Sequence, residues 1–188
     1  MEIAGSRCFS AHFGAYDYTA SVGITVENQR MSHPACDFAR NFMRVSLSGT
    51  GVFLSDGATN ILPLPVHSGK KLTQKQSTEN KKVIYYGWKI SYEHIRSSLA
   101  QGFYQGWDLH PLQLPIRYVS LYLFFLEGLN LNSKRLLNFI EQATKATVTN
   151  AVFDDAATGQ GLLNYFLKAH SCGAISLEKN SVSGLTKD

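Results

Sequence analysis

The sequence predicts an α+β domain, a mostly antiparallel β-sheet covered on one face by two or three α-helices. Three observations carry this reading. Alternation of period two clusters early in the chain, apolar spacing of three and four clusters late, and no regular strand–helix alternation joins them. A chain of 188 residues suits one domain with a substantial core. Residues 1–180 are expected to form it, with an exposed basic loop at 69–82 and a flexible tail at 181–188.

The elements follow in order. In "YDYTASVGITVENQR" (16–30) Tyr16, Tyr18, Val22, Ile24 and Val26 share one parity, which predicts a half-buried strand. "SHPACDFARNFM" (32–43) predicts a short helix capped by Ser32, with Pro34 in its first turn and Cys36, Ala39 and Met43 on one face. "RVSLSGTGVFLSDG" returns to period two at Val45 and Leu47, with a bulge or tight turn at Gly49 and Gly51 and an end at 55–57. Pro63 and Pro65 make 61–69 an edge or extended connector. The lysine-rich stretch that follows has no periodicity and reads as a loop.

"KVIYYGWKISY" (82–92) has β-type composition, and Tyr92, Ile95, Leu99 and Phe103 then predict a helix weakened by Gly102 and Gly106. Beyond a proline-bounded connector, "IRYVSLYLFFLEGL" reads as a central strand. A helix over "NSKRLLNFIEQATKA" follows, capped by Asn132 or Ser133, with Glu141 and Lys145 at i,i+4. Another starts at Asp154 or Asp155, carries Leu162, Leu163, Phe166 and Leu167, and ends at Gly173. "GAISLEKN" reads as a last short strand.

Three widely spaced cysteines, Cys8, Cys36 and Cys172, argue for a reducing compartment and buried thiols rather than a disulfide framework. No secretory leader is visible, and the longest apolar run falls short of a bilayer span. The expected location is cytoplasmic or virion-internal, at most peripheral to a membrane.

Catalytic signatures are sparse. His33 with Cys36, and His170 with Cys172, are the two Cys/His pairs close in sequence, and each reads first as a packed thiol beside a surface or capping imidazole. The six histidines lack HxxxH spacing and the cysteines lack CxxC, so no metal site and no cofactor are predicted. "SGTGVF" lacks the lysine of a phosphate loop and the third glycine of a dinucleotide fingerprint. Asp154 and Asp155 read as helix caps.

The charge is localised. Net charge is +4, and from Lys70 to Arg96 seven cations face only Glu79 and Glu93, so 7 − 2 = +5 falls in this one window. Taken alone the window is a solvated loop. Against that stand Lys70, Lys71, Lys75, Lys81, Lys82 and Lys89, the scarcity of acids, and the neighbours Tyr85, Tyr86 and Trp88. Lysines beside amphipathic rings suit an anionic membrane surface or single-stranded nucleic acid.

The order of strand "YVSLYLFFLEGL", helix "NSKRLLNFIEQATKA", helix "GQGLLNYFLKAHSC" and short strand "GAISLEKN" resembles the closing layout of rhabdovirus matrix proteins, including those of plant-infecting members. The early strand at 16–30 is similar in kind, and about half the chain is covered. The resemblance implies a non-enzymatic virion protein that self-associates and bridges the nucleocapsid to an envelope. The 69–89 segment would stand in for the family's lysine-rich N-terminal arm. The expected partners are a second copy, nucleoprotein or RNA, and an anionic membrane surface. The alternatives are an RNA-binding module, such as a viral silencing suppressor or nucleoprotein accessory, and a small enzyme with a dispersed Cys/His site.

Overall fold

Three short strands, β1 (Ser10–His12), β2 (Phe53–Ala58) and β3 (Gln105–Trp107), pair in the order β1-β2-β3, and both pairings are parallel. Ser10 lies opposite Phe53 and His12 opposite Ser55; a bulge between Asp56 and Ala58 then sets Ala58 opposite Trp107. Parallel neighbours need a crossover. Here α1 (Ala15–Ser21) and α2 (Pro34–Leu47) join the first pair, and α3 (Gln74–Ala100) joins the second. This overturns the expected mostly antiparallel sheet: helices dominate, and the small sheet is parallel.

The computed structural model describes residues 7–149 and 156–176, with side chains to residue 144 in the first stretch. The chain divides into two compact units, Met1–Tyr118 and Val119–Asp188. Unit 1 holds the sheet with α1 to α3 and the start of α4 (Leu114–Thr149). Unit 2 holds the rest of α4 with α5 (Ala156–Ser171). Among the described residues no helix is long and apolar enough to cross a membrane.

The predicted strand at 16–30 is α1 followed by a 3₁₀ turn at Val26–Asn28. Its even-numbered apolar residues are not a core face, since Val22 and Val26 stand exposed. The buried pair is Ala15 and Thr19, one helical turn apart, and the Thr19 hydroxyl donates to the Ala15 carbonyl at 2.8 Å. The next predicted helix is present as α2, extended to Leu47. His33, not Ser32, is its cap: His33 Nδ1 accepts from the Ala35 amide at 3.1 Å, and Pro34 opens the first turn. Val45 and Leu47 therefore end a helix instead of opening a strand. Gly49 and Gly51, at φ 72° and 76°, make the turn into β2, as their positions suggested.

The largest reassignment is α3. The expected loop at 69–82 is helical from Gln74, and the expected strand at 82–92 continues the same helix. Thr73 Oγ1 accepts from the Gln76 amide at 3.2 Å while Gln76 Oε1 accepts from the Thr73 amide at 3.0 Å, a reciprocal cap that fixes the start. The buried residues Asn80, Gly87, Ser91, Ile95, Ser98 and Leu99 recur at helical spacing. As far as Ser91 they are small or polar and no apolar stripe betrays them, while the helix expected from Tyr92, Ile95 and Leu99 is the end of this same element. Asn80 sets its amide against the backbone of His67, accepting from the amide and donating to the carbonyl at 2.9 Å each.

The predicted central strand at 118–129 and the helix after it are one element, α4, with no break at Asn132 or Ser133. In unit 2 α4 and α5 run antiparallel. Tyr165 donates its hydroxyl to the Phe125 carbonyl, Gly128 faces the Tyr165 ring, and Gly159 faces Phe139. Phe125, Leu162, Phe166 and Ala169 are buried there. Gly173, at φ 77°, closes α5, and residues 173–176 form no strand. The caps Asp154 and Asp155, the Lys145 side chain, the rest of the predicted last strand and the tail lie outside the described residues. The strand–helix–helix–strand layout quoted for the matrix-protein resemblance is thus not the layout of the described chain.

Candidate functional site

Unit 1 carries two groupings of polar side chains, one along α3 and one on the sheet. Lys70 and Lys71 precede α3; Lys75, Lys81, Lys82 and Lys89 lie on it, and all six are exposed. At about 100° per residue, Lys75, Lys82 and Lys89 recur every seventh residue in one row, Tyr86 falls between them, and Tyr85 and Lys81 flank it. All these residues occupy a sector of roughly 140°, with Lys75, Lys82, Tyr86 and Lys89 opposite the buried residues and Lys81 at its margin, in line with the buried Leu99. The acids scarcely offset them. Glu79 is held by His67 at 2.5 Å, and Glu93 reaches Lys89 at 3.9 Å between two exposed side chains, a pair that contributes little.

The ring residues divide by role. Tyr85 and Tyr86 are exposed at 62% and 57%. Trp88 is half-buried and donates its indole N–H to the Leu112 carbonyl at 2.8 Å, so it ties α3 to the turn after β3. Of the nine residues predicted for a contact surface, this one is a structural anchor.

The sheet grouping follows from strand alternation, which turns Ser55 and Asp56 to opposite faces. Asp56 is buried and accepts from Arg40 Nε at 2.9 and 3.0 Å, from the Ser98 hydroxyl and from the Gly57 amide. Arg40 also donates to Asp37 and to the Met31 carbonyl and lies 5.3 Å over the Phe13 ring. One ion pair thereby joins α2, β2 and α3. On the other face, His12 Nδ1 lies 3.0 Å from Ser55 Oγ, and the Trp107 ring meets the imidazole edge-on at 4.7 Å. No sequence signal joined these two residues, which stand 43 apart.

The predicted Cys/His pairs do not meet as pairs. The buried Cys36 directs its thiol toward the Arg30 carbonyl, while His33 caps α2. Cys172 points back at the Ala169 carbonyl, and His170 is exposed at the end of α5. Burial raises both thiols' pKa values, against thiolate formation.

Two histidines are shifted the other way. Burial lowers the pKa of His12, with the Asp56 charge opposing. Burial and then the Arg40 charge lower that of His94, whose Nδ1 lies 3.0 Å from the Thr59 hydroxyl. Both folded-state values lie below the ordinary 6.5. The neutral rings' contribution to stability is therefore complete above that pH and is lost as pH falls below it. Urea midpoints are expected to decline from pH 7 to pH 5.5, with a shallower decline in His94→Gln. A midpoint that rises on acidification contradicts the assignment.

A family model described as "Domain of unknown function (DUF6986)" matches residues 1–188. No curated protein matches the chain, and no solved structure does.

Proposed function

We propose, for a chain that belongs to the DUF6986 family over its whole length, that it binds single-stranded nucleic acid along α3. The observation that carries this reading is the exposed row Lys75, Lys82, Tyr86 and Lys89, flanked by Lys81 and Tyr85. Ammonium groups neutralise phosphates without reading sequence, and tyrosine rings accept stacked bases of any identity. A membrane fits the same helix less well. An interfacial helix lays an apolar face into the lipid, whereas the free side of α3 is basic and tyrosine-bearing.

The test is fluorescence anisotropy with a single-stranded oligouridylate, in parallel with sedimentation on anionic vesicles. Six phosphate contacts predict a log–log salt slope near −4, or about a 250-fold loss of affinity between 50 and 200 mM salt. Lys75→Gln, Lys82→Gln and Lys89→Gln together should weaken binding at least tenfold and reduce the slope by about 2. Equal affinity in the triple variant, or salt-independent binding, removes the reading. Binding to vesicles without binding to RNA moves the surface to lipid.

A second reading rests on His12, whose pKa burial lowers, beside Ser55 and Trp107 at the end of β1. Small ligands in parallel β/α folds sit outside the strands' carboxyl ends, and an uncharged imidazole there is suited to proton transfer. The oligouridylate assay separates the two, since His12→Ala leaves RNA affinity unchanged if α3 alone holds the strand.

A further inference from the structure

Helix α4 has two apolar sides, and α5 covers one of them. Leu121 and Phe125 are buried, Gly128 faces Tyr165, and Phe139 packs over Gly159. Away from these lie Val119, Leu123, Leu126, Leu137 and Ile140, each between 39% and 48% exposed. With Asn130 and Ser133 they recur at steps of 4, 3, 4, 3, 4 and 3 residues. That is the alternation of a and d positions in a helix that packs along another, over about 30 Å. A helix exposed only to water has no reason to keep this spacing on its outer side.

The row is close to symmetric about Asn130. Leu126 and Leu123 stand four and seven residues before it, Ser133 and Leu137 three and seven after, and Val119 and Ile140 eleven before and ten after. Two copies of the row laid antiparallel about Asn130 therefore set Leu123 on Leu137 and Val119 on Ile140, apolar to apolar, with Leu126 against Ser133 as the one mixed pair. The polar Asn130 meets only its own copy, amide to amide. On the axis each asparagine amide keeps a polar partner, which a slip toward Leu126 would replace with an apolar side chain. The same alignment brings Glu127 of one helix beside Lys134 of the other, once on each side of the axis, so the charges at the seam's margin are complementary.

We propose that α4 is a self-association surface, on which a second copy of this chain docks antiparallel with Asn130 on the two-fold axis. Residue for residue this is an isologous contact, which closes at two copies and does not propagate. It is independent of the α3 reading, because none of its residues lies on α3.

Light scattering on the full chain at rising concentration is expected to pass from 20.9 kDa to twice that mass. Leu123→Lys with Leu137→Lys should hold the chain at the lower mass with unchanged helical circular dichroism, since both residues are exposed in the single copy. Register is read by cross-linking in a Cys8→Ser, Cys172→Ser background. A mixture of Leu123→Cys and Leu137→Cys chains should oxidise to a mixed dimer, while Leu123→Cys alone should not pair with itself. A chain that stays at the lower mass at all concentrations, or a double-lysine variant that still dimerises, overturns the surface. Self-pairing of Leu123→Cys overturns the antiparallel register.

Discussion

Asp56→Ala is expected to cost about 3–5 kcal/mol of stability, the range for removing one partner of a buried ion pair. The carboxylate takes hydrogen bonds from Arg40, from Ser98 and from the Gly57 amide, and it is 1% exposed. Its loss leaves the Arg40 guanidinium, itself 3% exposed, inside the protein with its principal counter-charge gone and only Asp37 at the margin. The Ser98 hydroxyl, released from Asp56, would turn its hydrogen to the His94 carbonyl 3.0 Å away, so the damage centres on Arg40. Both tryptophans of the chain, Trp88 and Trp107, stand in unit 1, and their fluorescence in urea reports the loss. The double variant Arg40→Leu, Asp56→Leu should lose much less than the sum of its parts, because an apolar pair of similar size leaves no buried charge. A single-variant loss under about 1 kcal/mol, in the range of an exposed pair, would show that the pair does not organise the sheet and its helices.

Gly87→Ala should destabilise by about 1–3 kcal/mol, although alanine in a helix interior ordinarily gains nearly 1 kcal/mol over glycine. A Cβ at position 87 would stand 2.9 Å from both Cα and N of Pro63 and 3.1 Å from the Leu62 carbonyl carbon. These are backbone atoms of a proline-bearing connector, which cannot step aside as a side chain can. Gly161, inside α5, is the control: a Cβ there meets nothing within 4 Å, and Gly161→Ala should stabilise by about 1 kcal/mol. Opposite signs at the two positions confirm that the connector rests on α3. A stabilised Gly87→Ala denies it.

Some of this architecture was legible in the residues. Pro34 at a helix start, Gly173 at a helix end, the turn at Gly49 and Gly51 and the connector through Pro63 and Pro65 each follow from one residue's backbone chemistry. Two of the three strands were not legible, because β1 and β3 have three residues each and so few residues cannot display a period of two; β2 lies at the end of the stretch read as period two, although it begins only at Phe53. The alternation at 16–26 was accidental. The part of α3 before Tyr92 escaped because its inner side is built from Asn80, Gly87 and Ser91, and apolar periodicity is blind to such a face, whereas Ile95 and Leu99 made the end of the same helix legible. The sequence still held one sign of it, the Thr73–Gln76 spacing of a reciprocal cap. The positive charge was visible at once, but its gathering onto one side of a helix depends on that helix existing. Trp88 looked free beside the lysines because a sequence does not show where an indole N–H is directed. His12 and Ser55 meet only through strand pairing across two helices.

Asn80 has a consequence for which replacements the protein can accept. Its side chain imitates a neighbouring peptide group, offering a donor and an acceptor to the two ends of His67 at once. Aspartate would keep the acceptor and lose the donor, leucine would lose both, and glutamine would overreach by a methylene. Position 80 is thus restricted to one amino acid by the shape and polarity of an amide, although its surroundings in the sequence, Glu79 and Lys81, have every mark of a stretch that faces water.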